Sequence, residues 1–272
     1  VGDSNVQVGV EELRERLLRG GFSDVIRQQF RSMLEHFGQS PIIVRSSSLM
    51  EDSFRGAFAG KYESIFLANQ GDPAERLDQL EAAVRRVYSS VMNEEALAYR
   101  RQRGLDRQQE LMALVVQKVS GLRRECYFFP DAAGVGTSRN IFAWAPHLDP
   151  QAGMLRLVMG LGTRAVDRTE DDYPRIVALD DPLLKVHGGA DDMVRFSQHE
   201  IDVLNVDMNC LEALSVEDFV GEGLGRRTDL FAGREHQTER MMKQLGMRDR
   251  QAWVVTFDKL LTQTEFPQIM QR

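Results

Sequence analysis

Near Leu111 the spacing of apolar residues along the chain changes from about 3.6 to about 2. Before that point the stripes are helical: Val10, Leu13, Leu17 and Leu18, then Val25, Ile26, Phe30, Met33, Leu34 and Phe37. After it, Leu111–Val119, Cys126–Phe129, Gly134–Ser138 and Met154–Met159 read as strands. A chain that is mainly helical first, β-patterned beyond Leu111 and helical again from Val216 cannot be one helical bundle or one all-β sandwich. It predicts an α+β body with two lobes.

Local signals fill in the rest. Gly20 and Gly21 separate the first two helices, and Ser23 and Asp24 can cap the second. Pro41–Val44 is a short apolar run of the kind that forms a buried strand, and it is expected to stop at Arg45. Asp72-Pro73 supplies an N-cap and a first-turn proline for a helix over 73–91, carried by Leu77, Leu80, Val84, Val87, Tyr88 and Val91. Cys126–Phe129 and Gly134–Ser138 are expected to form a hairpin about Pro130-Asp131, and a second hairpin is expected about Asp207–Cys210. The boundaries that follow are 1–110 for a first lobe, 111–215 for a second, β-rich lobe, and 216–272 for a C-terminal helical segment of the same domain.

Charge narrows the partners. Thirty-four basic against forty-one acidic residues leave a net charge of −7, which disfavours a general grip on nucleic acid because that grip comes from excess Lys and Arg. Charged residues, 28% of the chain, interrupt every window that could approach the roughly 20 apolar residues of a membrane span. Two cysteines allow one disulfide at most and no secretory leader is legible, so a cytoplasmic protein is expected.

The junction Val44-Arg45-Ser46-Ser47-Ser48, followed by Gly56–Ser64, carries the clearest chemistry. An arginine at a strand end beside serines and a glycine-flanked turn suits a polyphosphate. The guanidinium binds oxygens bidentately, and glycines let backbone N–H groups come close. Lys61 could add a point charge. The alternative is that Arg45 only pairs with Glu51 or Asp52. Gly160-Leu161-Gly162-Thr163-Arg164-Ala165 formally matches a dinucleotide fingerprint, but the acidic stretch and Tyr173-Pro174 that follow are not the helix such a unit needs. Neither a zinc-type spacing nor a Walker or serine-hydrolase motif is present.

Taken in order, Val44-Arg45-Ser46-Ser47, Glu51-Asp52, Ser53-Phe54 and Phe58-Ala59-Gly60-Lys61-Tyr62-Glu63-Ser64 resemble the N-terminal nucleotide-binding domain of the phosphoenolpyruvate synthase and pyruvate phosphate dikinase family. Val87–Ser90, Ala98–Arg100, Ala113–Val119, Gly134–Asn140, Gly160–Gly162 and Phe196–Val216 continue the likeness, which covers about residues 40–265. The resemblance implies an ATP-grasp fold whose two lobes hold ATP. Arg45 would act on the phosphates as the catalytic residue, with Ser46, Ser47, Gly60, Lys61 and Ser64 in the phosphate loop over 45–64, and Gln117, Lys118 and Val119 near the adenine.

The family's ATP phosphorylates a histidine on a separate domain, which delivers the group to a pyruvate-type domain, and Mg2+ is required. Those two domains and the nucleotide are therefore the implied partners. Thr163 stands where the family has a glutamate. The family's metal-bearing final strands and its Lys-bearing N-terminal segment have no counterpart, so the chain is expected to be incomplete at both ends and inactive alone, with no metal ligand of its own. Exposed strand edges would then favour association into oligomers. The competing expectation is a non-catalytic ATP-grasp-like module kept for binding or regulation.

Overall fold

The structure, a computed structural model, describes residues 2–48, 62–105, 111–166, 171–186, 190–234 and 253–271. Its contacts separate into two compact units, residues 1–120 with 204–211, and residues 121–203 with 212–272.

In the first unit, α1 (Gly2–Leu18) and α2 (Asp24–Phe37) lead into strand β1 (Ile42–Ser48), followed by β2 (Ser64–Leu67), α3 (Pro73–Ser89), a short 3-10 turn over Ser90–Met92, α4 (Glu94–Gln102) and β3 (Met112–Lys118). The three strands form an antiparallel sheet in the order β2-β1-β3. Ser23 caps α2, its hydroxyl accepting from the Ile26 N–H at 3.4 Å. At the head of α3, Asp72 Oδ1 accepts from the N–H groups of Ala74 and Glu75 at 2.8 and 2.9 Å, and the Glu75 carboxylate accepts from the Asp72 N–H at 3.1 Å. This reciprocal cap satisfies donors that the first helical turn leaves free.

The helices bury one side of the sheet. Leu34 of α2 and Leu77, Leu80, Val84 and Val87 of α3 pack on Ile42 and Val44 of β1. Arg76 locks this layer. Its guanidinium donates to Leu34 O at 2.8 Å, to Asn69 Oδ1 at 2.9 Å and to Gly38 O. Asn69 in turn donates to the carbonyls of Gly38 and Ser40 at 2.9 and 2.8 Å. The last carbonyls of α2, which have no partner within the helix, are thus met by a buried cation and amide.

Strand β1 runs four residues further than its apolar run predicts. Arg45–Ser48 pair with Val115–Met112 of β3, and Ser46 and Ser48 are buried at 6% and 3% exposure on the side the helices cover. Serine is small enough to continue the alternation of Ile42 and Val44 at the margin of the core. Polarity therefore did not end the strand. Residues 49–61 of the expected phosphate loop lie outside the described residues.

The second unit contains β4 (Leu122–Arg124), β5 (Tyr127–Phe129), β6 (Ala132–Thr137), β7 (Met154–Met159), α5 (Thr163–Val166), β8 (Arg175–Ala178), α6 (Ala190–Arg195) and most of β9 (Glu200–Asn205) and β10 (Cys210–Ser215), whose joined ends over 204–211 belong to the first unit. Then come α7 (Val216–Gly221), a 3-10 turn (Thr228–Leu230), β11 (Ala232–Arg234), β12 (Trp253–Val255), α8 (Asp258–Gln263) and α9 (Phe266–Met270). The segment after Val216, read as helical, therefore also holds a two-stranded antiparallel ribbon, β11-β12.

The expected hairpin about Pro130-Asp131 is not formed. β5 lies in a sheet of order β10-β9-β5-β4, whereas β6 pairs along its whole length with β7 in the sheet β6-β7-β8. The chain changes sheets at Pro130, which has no N–H for a ladder, and Arg124 fixes Asp131 by an ion pair at 2.7 Å. The second hairpin does form, with β9 and β10 adjacent about 206–209. Phe129, Leu155, Met159, Ile201, Phe219 and Phe257 are nearly sealed at the centre of the core.

Candidate functional site

Register decides which of the singled-out residues share a face. In an antiparallel pair, directly opposed residues project from the same side of the sheet. Arg45 is opposite Ser64 on β2 and Val115 on β3; Ile43 is opposite Phe66 and Gln117; Ser47 is opposite Ala113. Arg45, Ser47, Ser64 and Gln117 therefore stand on one face, on the side away from α2 and α3. Arg45, Ser64, Ala113 and Gln117 are exposed, and Ile43, Ser47, Phe66 and Val115 half-buried. Among the described residues no carboxylate pairs with Arg45, and the two acids weighed as its partners, Glu51 and Asp52, lie outside them.

Ser46 and Lys118 have the opposite parity. Ser46 is in the helix-covered layer, while Lys118, at the end of β3, is exposed. Val119 is buried, and its N–H donates to Pro41 O at 2.9 Å, which continues the β1-β3 ladder by one bond. Gly60 and Lys61 lie outside the described residues. The open face thus offers one cation, two hydroxyls and one amide above an apolar floor of Ile43, Phe66 and Val115. Such a surface can neutralise an anion at Arg45 and hydrogen-bond a polar ring edge at Gln117.

A second motif, in the second unit, is built around Gly160-Leu161-Gly162-Thr163. Gly160 has φ +77°, and a Cβ there would sit 2.6 Å from Asp202 O and 2.5 Å from the Ile201 side chain. Only glycine permits this close approach, which lets the Leu161 N–H donate to Asp202 O at 2.9 Å. The Thr163 hydroxyl then donates to the Asp202 carboxylate.

Asp202 also accepts from Arg164 Nε at 3.0 Å, and the same guanidinium binds Glu200 at 2.7 Å and Asp172. Asp172 accepts in addition from the His199 N–H at 2.6 Å. Burial works to lower the Arg164 pKa, but the hydrogen bonds and charges of Asp202 and Asp172 outweigh it and hold it above the ordinary value. The sequence showed Gly160–Ala165 and Asp171-Asp172 as separate motifs. Nothing in their spacing signals that one arginine joins them to Glu200 and Asp202, because the partners are 8, 36 and 38 residues away.

The dinucleotide reading of Gly160–Ala165 fails on topology. β7 is antiparallel to both β6 and β8, and α5 spans only Thr163–Val166, whereas a Rossmann unit needs parallel strands joined by a full helix. Among the described residues no three His, Cys, Asp or Glu side chains are grouped to hold a metal ion. Nor, among the described residues, is any helix long and apolar enough to cross a membrane.

No curated protein matches the chain. The family described as "Pyruvate phosphate dikinase, AMP/ATP-binding domain" matches residues 3–220, a span that includes the open Arg45 face and the Gly160–Arg164 corner. The chain belongs to this family of nucleotide-binding domains.

Proposed function

We propose that the chain is the ATP-binding, ATP-grasp domain of a phosphotransferase of the phosphoenolpyruvate synthase and pyruvate phosphate dikinase type. Residues 1–120 with 204–211, which include β3, supply its first lobe, and the remaining residues its second. The observation that carries the reading is the register that gathers Arg45, Ser47, Ser64 and Gln117 on one uncovered face. Arg45 takes the phosphate oxygens, Ser47 and Ser64 hydrogen-bond the polyphosphate, and Gln117 with the backbone at Lys118 and Val119 reads the base. The product of the parent reaction is a phosphohistidine on a separate domain, which serves a pyruvate-type domain in turn. The work of this domain is positioning and charge neutralisation, which carry most of phosphoryl-transfer catalysis.

Calorimetric titration with ATP tests this. Saturable binding is expected, and Arg45→Ala should weaken it at least about tenfold, or roughly 1.4 kcal/mol. Unchanged affinity removes Arg45 from the site, and no binding up to about 1 mM ATP overturns the reading.

A second reading, a non-catalytic nucleotide-binding module, is favoured by one observation. Thr163 stands where the family has a glutamate, and its hydroxyl is engaged by Asp202. AMP released from ATP in the presence of Mg2+ by the parent protein, which carries the phosphohistidine domain, would decide for the enzyme; binding by the parent protein without AMP formation would decide for the module.

A further inference from the structure

The second unit encloses a cavity of about 400 Å³ alongside strand β8. Its lining includes Arg156 of β7 and Ile176 of β8, Met193 of α6 with Phe196 just beyond that helix, and Val254 and Val255 of β12. Tyr173 meets Phe196 edge to face, with ring centroids 5.3 Å apart, so two aromatic rings are held in place within the lining.

Among the described residues, the cationic side chains that line this apolar space are Arg156, Arg175 and Lys185, and the acids are Asp172 and Asp192. Asp172 is already committed to Arg164, and Asp192 is exposed. Lys185 is held by Asp258 at 2.8 Å.

Arg175 is different. Among the described residues its hydrogen bonds go to carbonyls, Ile176 O at 2.9 Å and Pro182 O at 3.5 Å, and its Nε is sealed from solvent without a hydrogen bond. Carbonyls leave the guanidinium's charge uncancelled. Burial pulls its pKa below the ordinary value, and the charge of Asp258 only offsets this. A charge held in apolar surroundings without an ion-pair partner is costly, and a bound anion would relieve the cost.

We propose that this cavity binds a small organic anion with a flat apolar body, of the aromatic carboxylate class. The carboxylate pairs with the Arg175 guanidinium, and the body packs between Phe196, Met193 and Val255. The residues that line the site all belong to the second unit, and the proposal does not depend on the nucleotide reading.

The test uses 2-naphthoate and its uncharged counterpart 2-naphthamide, titrated by calorimetry into the 272-residue chain. The acid is expected to bind at least about tenfold more tightly than the amide, and Arg175→Met should abolish that preference. Val186→Trp, at a rim position 41% exposed, should block both ligands with the charge intact, which keeps the proposal testable if the Arg175 variant does not fold. Saturating ATP should leave naphthoate binding unchanged. The proposal is overturned if neither probe binds, if acid and amide bind the wild type equally, if Val186→Trp binds as the wild type does, or if ATP displaces the acid.

Discussion

The Thr163 hydroxyl and the Asp202 carboxylate are hydrogen-bonded across 39 residues of chain, and the same carboxylate accepts from Arg164 at 3.0 Å. Asp202 therefore pins the Gly-Leu-Gly corner to β9. Arg164 then extends the link to Asp172 and Glu200.

Removing the cation tests how much this corner depends on it. Arg164→Ala leaves Asp172 and Asp202, exposed by only 7% and 9%, facing each other without it. A loss of about 3–5 kcal/mol is expected, read as a lowered midpoint in denaturant. Thr163→Val removes a single hydroxyl from an acid that keeps Arg164, so it should cost about 1 kcal/mol. Equal losses for the two would mean that the arginine is not the hub.

The alternation on β1 can be read directly. Ser46→Asp places a carboxylate in the helix-covered layer and should cost about 3 kcal/mol or more. Ser47→Asp puts the same charge on the open face beside Arg45. Its melting midpoint should stay close to the wild type while ATP affinity falls about tenfold or more. If Ser47→Asp destabilises as much as Ser46→Asp, the face is not open.

Arg76 offers a stability measurement away from both sites. Arg76→Ala uncaps the end of α2, strands the carbonyl of Leu34 and leaves that of Gly38 to Asn69 alone. About 2–4 kcal/mol of unfolding free energy should be lost, and hydrogen exchange should speed up first in α2. A change below about 0.5 kcal/mol would show that water replaces the guanidinium at no cost.

An alkaline limit follows from Tyr127. Partial burial first, then the charges of Glu212, Cys126 and Glu222, hold its phenol above the ordinary value of 10.0. The unfolded chain thus releases this proton before the folded one does. The stability it contributes is complete below pH 10 and is lost as pH rises through the folded value. Thermal midpoints from pH 8 to 11 should fall at the upper end, and Tyr127→Phe should flatten the fall. An identical decline in both proteins would assign it to other groups.

Much of the architecture was legible because its causes are local. The α3 cap is written in Asp72, Pro73 and Glu75, and the β9-β10 turn in Asp207–Cys210, since the groups that satisfy each other lie within a few residues. β7 was readable at both ends, Met154 and Met159, from an apolar run alone. Where the sequence misled, the deciding partner was distant. The extension of β1 through Arg45–Ser48 needs β3, about 70 residues on, to supply the ladder, and β6 leaves β5 because β7 offers a full-length mate.

The site divides in the same way. By itself the sequence determined that a short apolar run leads into Arg-Ser-Ser and that its order of motifs resembles one nucleotide-binding family. Those are properties of neighbours along the chain. Only the tertiary structure decided that Arg45, Ser47, Ser64 and Gln117 share an uncovered face while Ser46 turns to the helices, because a single step of register exchanges the two faces of a strand. It alone decided that Arg164 gathers three carboxylates, and that Arg175, hydrogen-bonded to carbonyls among the described residues, lines an apolar cavity. Burial and the pairing of charges are set by what folding brings close, which no spacing in the chain records.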